Sequence, residues 1–134
     1  MPVERAFLDT NILVYASLID GPKAVTGKAL RDKGGVISVQ VLNELANVLR
    51  RKLHRSWDEA GEILAIVRQL LEVVPFTEDI HETGLRLAER YSLSIYDAMI
   101  VAAALTSGCD ILWSEDMQHD MLIDGRLRIR NPFL

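Results

Sequence analysis

The sequence predicts an α/β fold: one mainly parallel sheet of about five strands flanked by helices, in a single domain over residues 1–134. Three observations carry this. Short apolar runs at residues 3–8, 36–39, 73–76 and 111–113 alternate with segments whose apolar residues recur at helical spacing. Strands alternating with helices imply a mainly parallel sheet covered on both faces. The chain has 134 residues, 49% apolar and 25% charged, which suffices for one full core and is too apolar for disorder.

The first strand, residues 3–8, stops at Asp9, and Ile12 onward begins a helix or extended loop. Gly21-Pro22 breaks the chain, and residues 23–33 form a helix ended by Gly34-Gly35. The second strand covers 36–39, with Ser38 as N-cap of a helix whose stripe is Val41, Leu45, Val48 and Leu49. Ser56-Trp57-Asp58-Glu59 is a capping box opening a helix to about residue 71, with Ala60, Ile63, Leu64, Val67, Leu70 and Leu71 inward. A third strand covers 73–76, and Pro75 puts it at a sheet edge. Thr77 starts a helix with the stripe Ile80, Gly84, Leu87, Ala88 and Tyr91. Residues 95–106 form an almost uncharged helix, buried on most sides. A fourth strand at 111–113, a loop or irregular helix over 114–124 and a weak strand at 126–129 complete the chain.

Composition narrows the function. The apolar run 98–105 is far short of the ~20 residues that span a bilayer, so no membrane role is expected. Glu4 and Arg5 before the first apolar run do not suit a secretory signal. The single cysteine, Cys109, fits a core position in a cytoplasmic protein. A formal charge of −4 leaves polyanion binding to local basic patches.

Most of the 19 acidic residues decorate helix surfaces, but four do not. Asp9 and Asp116 follow strands directly, Glu44 shares a helical face with Val41 and Val48, and Asp97 is the one charge on the most apolar helix. Each has a structural reading: a helix cap for Asp9, a stripe edge for Glu44, a Ser94-x-x-Asp97 capping box, a loop acid for Asp116. Together they sit at positions that converge on one rim of a doubly wound sheet. Two carboxylates about 4 Å apart repel by roughly 4 kcal/mol at an effective dielectric of 20, so four together call for protonation or a cation. Oxygen donors without convergent His or Cys favour Mg²⁺ or Mn²⁺ over Zn²⁺. Such a cation suits phosphodiester hydrolysis, because it acidifies a bound water and offsets charge on the phosphate.

These residues resemble the PIN-domain ribonucleases. The resemblance lies in Asp9-Thr10-Asn11 after an apolar strand, Ser38-x-Gln40-Val41-x-Asn43-Glu44, Tyr96-Asp97-Ala98-x-Ile100-x-Ala102-Ala103, and Ser114-Glu115-Asp116. The order and spacing cover nearly the whole chain, and within the family the chain looks like the small VapC-type toxins of bacterial toxin–antitoxin modules. The resemblance implies a PIN-like (Rossmann-like) fold, metal-dependent endoribonuclease activity, a homodimer and a small cognate antitoxin protein. It implies Asp9, Glu44, Asp97 and Asp116 as the catalytic quartet. Asp9, Asp97 and Asp116 would hold Mg²⁺ or Mn²⁺, with Glu44 acting through water and Thr10, Asn11, Ser38, Ser114 and Asp120 in support. The last motif departs from the family in carrying Asp120 where many relatives have glycine, so either Asp116 or Asp120 is the fourth ligand.

The basic cluster Arg50-Arg51-Lys52-Leu53-His54-Arg55 reads as cations at a helix C-terminus or, functionally, as an RNA-binding edge formed by Arg50, Arg51, Lys52 and Arg55. Arg126, Arg128 and Arg130 read as a similar RNA-binding edge or as a solvated edge strand. Trp57 and Trp113 read as core or interface, and the three histidines are too scattered for a metal cluster. A phosphatase on a similar acidic edge would show Asp-x-Asp, where position 11 is Asn; a receiver domain would carry a lysine in the 126–134 tail, which has none. A catalytically inactive RNA-binding or interaction module is the third alternative.

Overall fold

A computed structural model describes residues 4–134. The elements in chain order are β1 (Ala6–Leu8), α1 (Thr10–Ala16), α2 (Pro22–Lys33), β2 (Val36–Ser38), α3 (Val39–Arg51), α4 (Trp57–Leu70), β3 (Glu72–Val74), α5 (Glu78–Tyr91), α6 (Ile95–Thr106), β4 (Ile111–Trp113), β5 (Leu122–Ile123) and β6 (Leu127–Arg130). Val3, expected in the first strand, lies outside the described residues. The sheet runs β3-β2-β1-β4-β6-β5, parallel throughout except for β5 against β6. From β1 the chain moves one way to β2 and β3, then returns through α5 and α6 to β4 on β1's other side. That reversal makes the carboxyl ends of β1 and β4 a topological switch point, where open α/β sheets form a crevice.

The register places the residues that matter. Leu8 pairs with Trp113, so the next residues, Asp9 and Ser114, emerge side by side. Phe7, Leu8, Ile37, Leu112 and Ile129 are fully buried, and α6 buries every residue from Ala98 to Leu105 between this layer and its neighbours, chiefly α5. Two glycines permit the helix packing. A Cβ on Gly27 of α2 would meet Ala16 N and Ile12 O of α1 at 2.8 Å, and one on Gly84 of α5 would strike the Met99 side chain of α6.

The sheet has six strands rather than about five. The additional strand, β5, falls in the stretch expected to be loop, and two residues are too few to show a period. Its turn has a sequence cause: Asp124 and Gly125 have φ of 50° and 68°, and the Arg126 N–H donates to Ile123 O at 3.0 Å. Asp-Gly is a favoured pair for such a left-handed turn. β3 lies at the sheet edge, as Pro75 indicates, but ends before it at Val74. Residues 10–16 resolve the helix-or-loop alternative as helix. Leu70 is exposed and Leu71 buried, because Leu71 leaves the helix in extended backbone and turns into the core. Trp57 is not core: it is 74% exposed. Cys109 is buried, and burial pushes its thiol up to about 11. No helix among the described residues is long and apolar enough to cross a membrane.

Candidate active site

Asp9 is the most enclosed carboxylate, 5% exposed at the end of β1. One oxygen accepts the Thr10 N–H at 2.7 Å. The other accepts the Ser114 hydroxyl at 2.7 Å and the Asn11 amide at 3.4 Å. An ordinary N-cap accepts from the second or third helical N–H, so this geometry orients the carboxylate more than it caps α1. Burial pushes the Asp9 carboxyl up to about 6, a rise opposed by the Ser114 and Thr10 hydrogen bonds and reinforced by the charges of Asp97 and Glu44.

The other acids reach the same crevice from different elements. A cavity of about 520 Å³ is lined by Asp9, Thr10, Asn11, Glu44, Asp97 and Asp116, with Tyr15, Asn47, Lys52 and Glu115 among its remaining walls. Glu44, in α3, accepts the Thr10 hydroxyl at 2.7 Å and the Gln40 amide at 3.5 Å. The Asp97 N–H donates to Ser94 Oγ at 3.2 Å, which makes half of a capping box. The returning bond from Asp97 to the Ser94 N–H is not made, in contrast to the complete Ser56–Glu59 box of α4. Asp97 is therefore left facing the cavity. Asp116 is exposed and accepts the Asn11 amide at 3.1 Å.

Asn11 links these parts. Its carbonyl accepts the Glu115 N–H at 3.2 Å, which fixes the amide so that its NH₂ group faces both Asp9 and Asp116. Ser114 is fully buried and uses its hydroxyl twice, donating to Asp9 and accepting the Met117 N–H at 3.4 Å. Thr10, Asn11 and Ser114 thus touch the carboxylates directly.

Two expected supports sit elsewhere. Ser38 is level with Asp9 in the sheet, but its hydroxyl is occupied by the Val41 N–H at 3.4 Å, so it caps α3 and meets none of the four acids. Asp120 has φ of 65° and turns away towards Arg130 at 3.5 Å and His119 at 3.4 Å; it does not line the cavity. Of the basic cluster, Lys52 lines the cavity, while Arg50, Arg51 and Arg55 lie beyond it. Arg128, in β6, donates to the Asp120 carbonyl and does not line the cavity.

Sequence reasoning missed Asn47, Tyr15 and Lys23. Asn47 lies three residues after Glu44, so helical spacing alone could have found it. Lys23 reaches Glu115 at 2.6 Å and the Tyr15 hydroxyl at 3.3 Å, joining α2, α1 and the segment after β4. No spacing signals such a meeting.

The donor set at the cavity is oxygen throughout, which suits a hard divalent cation. No cation pairs with Asp9 among the described residues. Nor do any three of the described His, Cys, Asp and Glu side chains stand close enough to grip one ion together. A bound ion would therefore draw much of its shell from water, the habit of Mg²⁺.

The model of the PIN domain family matches residues 6–121. No curated protein matches this chain in sequence. Among solved structures, it is similar to a toxin–antitoxin complex from Klebsiella pneumoniae, with 25% identity, a TM-score of 0.69, and 95% of this chain and 97% of that one covered. VapBC2 from Rickettsia felis, bound to a DNA fragment from its promoter, gives 22% identity, a TM-score of 0.69, and coverage of 94% and 97%. VapC20 from Mycobacterium tuberculosis, a sarcin–ricin loop cleaving toxin, gives 22%, 0.66, and coverage of 83% and 89%. With that family model spanning most of its length and its acids gathered at the switch point, the chain belongs to the PIN domain family and has the fold of the VapC toxins.

Proposed function

We propose that this chain is a metal-dependent endoribonuclease, the toxin of a toxin–antitoxin pair, with residues 1–134 acting as one nuclease domain. The observation that carries the reading is the convergence of Asp9, Glu44, Asp97 and Asp116 on one cavity at the switch point. Asp9, Asp97 and Asp116 would hold Mg²⁺ (or Mn²⁺), with water completing its shell, and Glu44 would engage it through water. When bound, such a cation would acidify a water and offset charge on the phosphodiester.

The chain's own groups do the rest. Ser114, Thr10 and Asn11 keep Asp9 aimed into the cavity at no cost in reorganisation. Thr10 and Gln40 donate to both oxygens of Glu44 and leave remaining lone pairs to orient a water. Lys52 stands on the wall to meet a substrate phosphate.

The relatives support the toxin reading, because VapC20 is described as a sarcin–ricin loop cleaving toxin and the Klebsiella protein as part of a toxin–antitoxin complex. A small cognate antitoxin, a homodimer and a cytoplasmic location complete the proposal. The exposed Phe76, Ile95 and Tyr96 around a groove of about 520 Å³ offer apolar surface for self-association.

The test is cleavage of structured RNAs by pure protein with Mg²⁺, with Mn²⁺ and with chelator, beside Asp9→Asn. Cleavage is expected only in the wild-type protein with a cation. Persistence in chelator or in the variant would sink the reading, and RNA binding without any cleavage would favour the inactive module.

A further inference from the structure

The connection from α3 to α4 sets an aromatic ring and several cations beside the acidic cavity. Trp57, the first residue of α4, is 74% exposed, although tryptophan usually buries its large ring. The Arg50 guanidinium lies over that ring, 4.1 Å from its centroid, and is held there by donating to the Arg55 carbonyl at 2.7 Å. Arg50 thereby steadies one side of the indole, and the rest of the ring faces solvent. A groove of about 470 Å³ runs between Trp57, Arg50, Arg51, Ala46 and Asn47. Asn47 also lines the acidic cavity, as does Lys52, so groove and cavity share a wall.

The charges suit a polyanion. Among the described residues, none of Arg50, Arg51, Lys52 and Arg55 is paired with a carboxylate. Of the two acids beside Trp57, Glu59 is turned back onto the Ser56 N–H at 2.9 Å, leaving Asp58. Unpaired cations release phosphate counterions on binding without first breaking an ion pair. An open indole offers a base the stacking surface that single-stranded nucleic acid uses, while a paired base has its faces covered by its neighbours.

We propose that Trp57 is a stacking platform for an unpaired base of single-stranded RNA whose backbone passes Arg51 and Lys52 towards the acidic cavity. This rests on the nuclease reading for what the cavity does. Trp57 is then a substrate-positioning residue, and it selects unpaired segments over duplex.

The test uses the full chain. In Trp113→Phe, Trp57 is the sole tryptophan, and its emission is followed during titration with a short single-stranded oligoribonucleotide and with its duplex, both in chelator. Saturable quenching by the single strand and little by the duplex is expected. In the otherwise wild-type chain, Trp57→Ala should weaken single-strand binding by about tenfold, the scale of one stacked base, and Trp57→Phe should recover much of it. Arg51→Ala should flatten the salt dependence of log K by about one. Unchanged thermal unfolding of Trp57→Ala shows that the fold is intact.

Absence of quenching, or equal single-strand affinity in Trp57→Ala, overturns the proposal. So does a change of oligomeric state in Trp57→Ala with RNA binding preserved, which makes the surface a protein interface. Quenching with no metal-dependent cleavage breaks the nuclease reading and leaves the platform standing. Cleavage with no quenching breaks the platform alone.

Discussion

Asp9 and Asp124 are both aspartates that directly follow a strand, and the protein treats them in opposite ways. Asp9 follows β1 into the acidic crevice, where its neighbours are hydroxyls, amides and other acids. Asp124 follows β5 into a turn, where Arg86 pairs with it at 2.9 Å and the Tyr91 hydroxyl donates at 3.1 Å. Burial pushes the Asp9 carboxyl up to about 6, whereas the Arg86 guanidinium holds that of Asp124 below the usual carboxylate range. The ion pair at Asp124 ties α5 to the β5–β6 hairpin and is neutralised within the fold. The charge at Asp9 is supplied with donors and pairs with no cation among the described residues, as the proposed metal site requires.

The largest effect that would sharpen this contrast is on cleavage. Asp97→Asn keeps the helix cap, because Ser94 accepts a backbone N–H, but removes a charge from the cavity. It is expected to lower metal-dependent cleavage by about a hundredfold or more, about 3 kcal/mol of transition-state stabilisation, with the circular-dichroism melt unchanged. A loss of less than about fivefold would break the contrast.

Next in size is stability against pH. The folded Asp9 carboxyl titrates at about 6 against 3.8 for the ordinary group, so the metal-free fold favours the protonated form. Its penalty is absent below about pH 4, grows as pH rises to about 6, and then levels at about 3 kcal/mol. Asp9→Asn should therefore raise the melting temperature of metal-free protein at neutral pH, and the gain should vanish near pH 4. Added Mg²⁺ should stabilise the wild-type protein and leave this variant nearly unmoved. A variant no more stable than wild type at neutral pH would count against a penalised Asp9.

Asp124 carries the opposite sign. Its lowered carboxyl stabilises the fold above the unfolded value and loses that contribution as pH falls. Asp124→Ala should cost about 1–2 kcal/mol in a denaturant melt, mostly through the Tyr91 bond and the turn, since half-exposed ion pairs add little. Cleavage by the folded variant should stay near wild type; a collapse of cleavage would mean the hairpin shapes the crevice.

The smallest expected change separates Asp116 from Asp120. Asp116→Ala should weaken Mg²⁺ binding measured by calorimetry, and Asp120→Ala should alter it by less than about twofold. The reverse ranking would move the fourth ligand to Asp120.

Much of this was legible because local chemistry repeats locally. The acids stood out by being on apolar surfaces or at strand ends, where side-chain direction follows from period 3.6 or 2. Ser56 and Ser94 marked helix starts because an N-cap needs only its own next turn. The two-residue β5 was invisible for the same reason: it is held by its pairing with β6, not by a pattern of its own. Trp57 misled because the scale of its apolar surface suggests the core, while its position above Arg50 is set by how α4 leaves α3.

The sequence by itself determined the alternation of strands and helices, the edge position of β3, and the candidacy of Asp9, Glu44 and Asp97 for one crevice. Each depends on a residue and its near neighbours. The tertiary structure decided which way polar groups turn. Ser38 and Ser114 both stand at strand ends level with Asp9, yet the Ser38 hydroxyl is taken by the Val41 N–H at the start of α3 while the Ser114 hydroxyl reaches the Asp9 carboxylate. Asp116 and Asp120 stand four residues apart, yet one meets Asn11 and the other a left-handed turn. Lys23, Tyr15 and Glu115 meet only when three elements pack. Direction in space is a property of long-range register, and no local period encodes it.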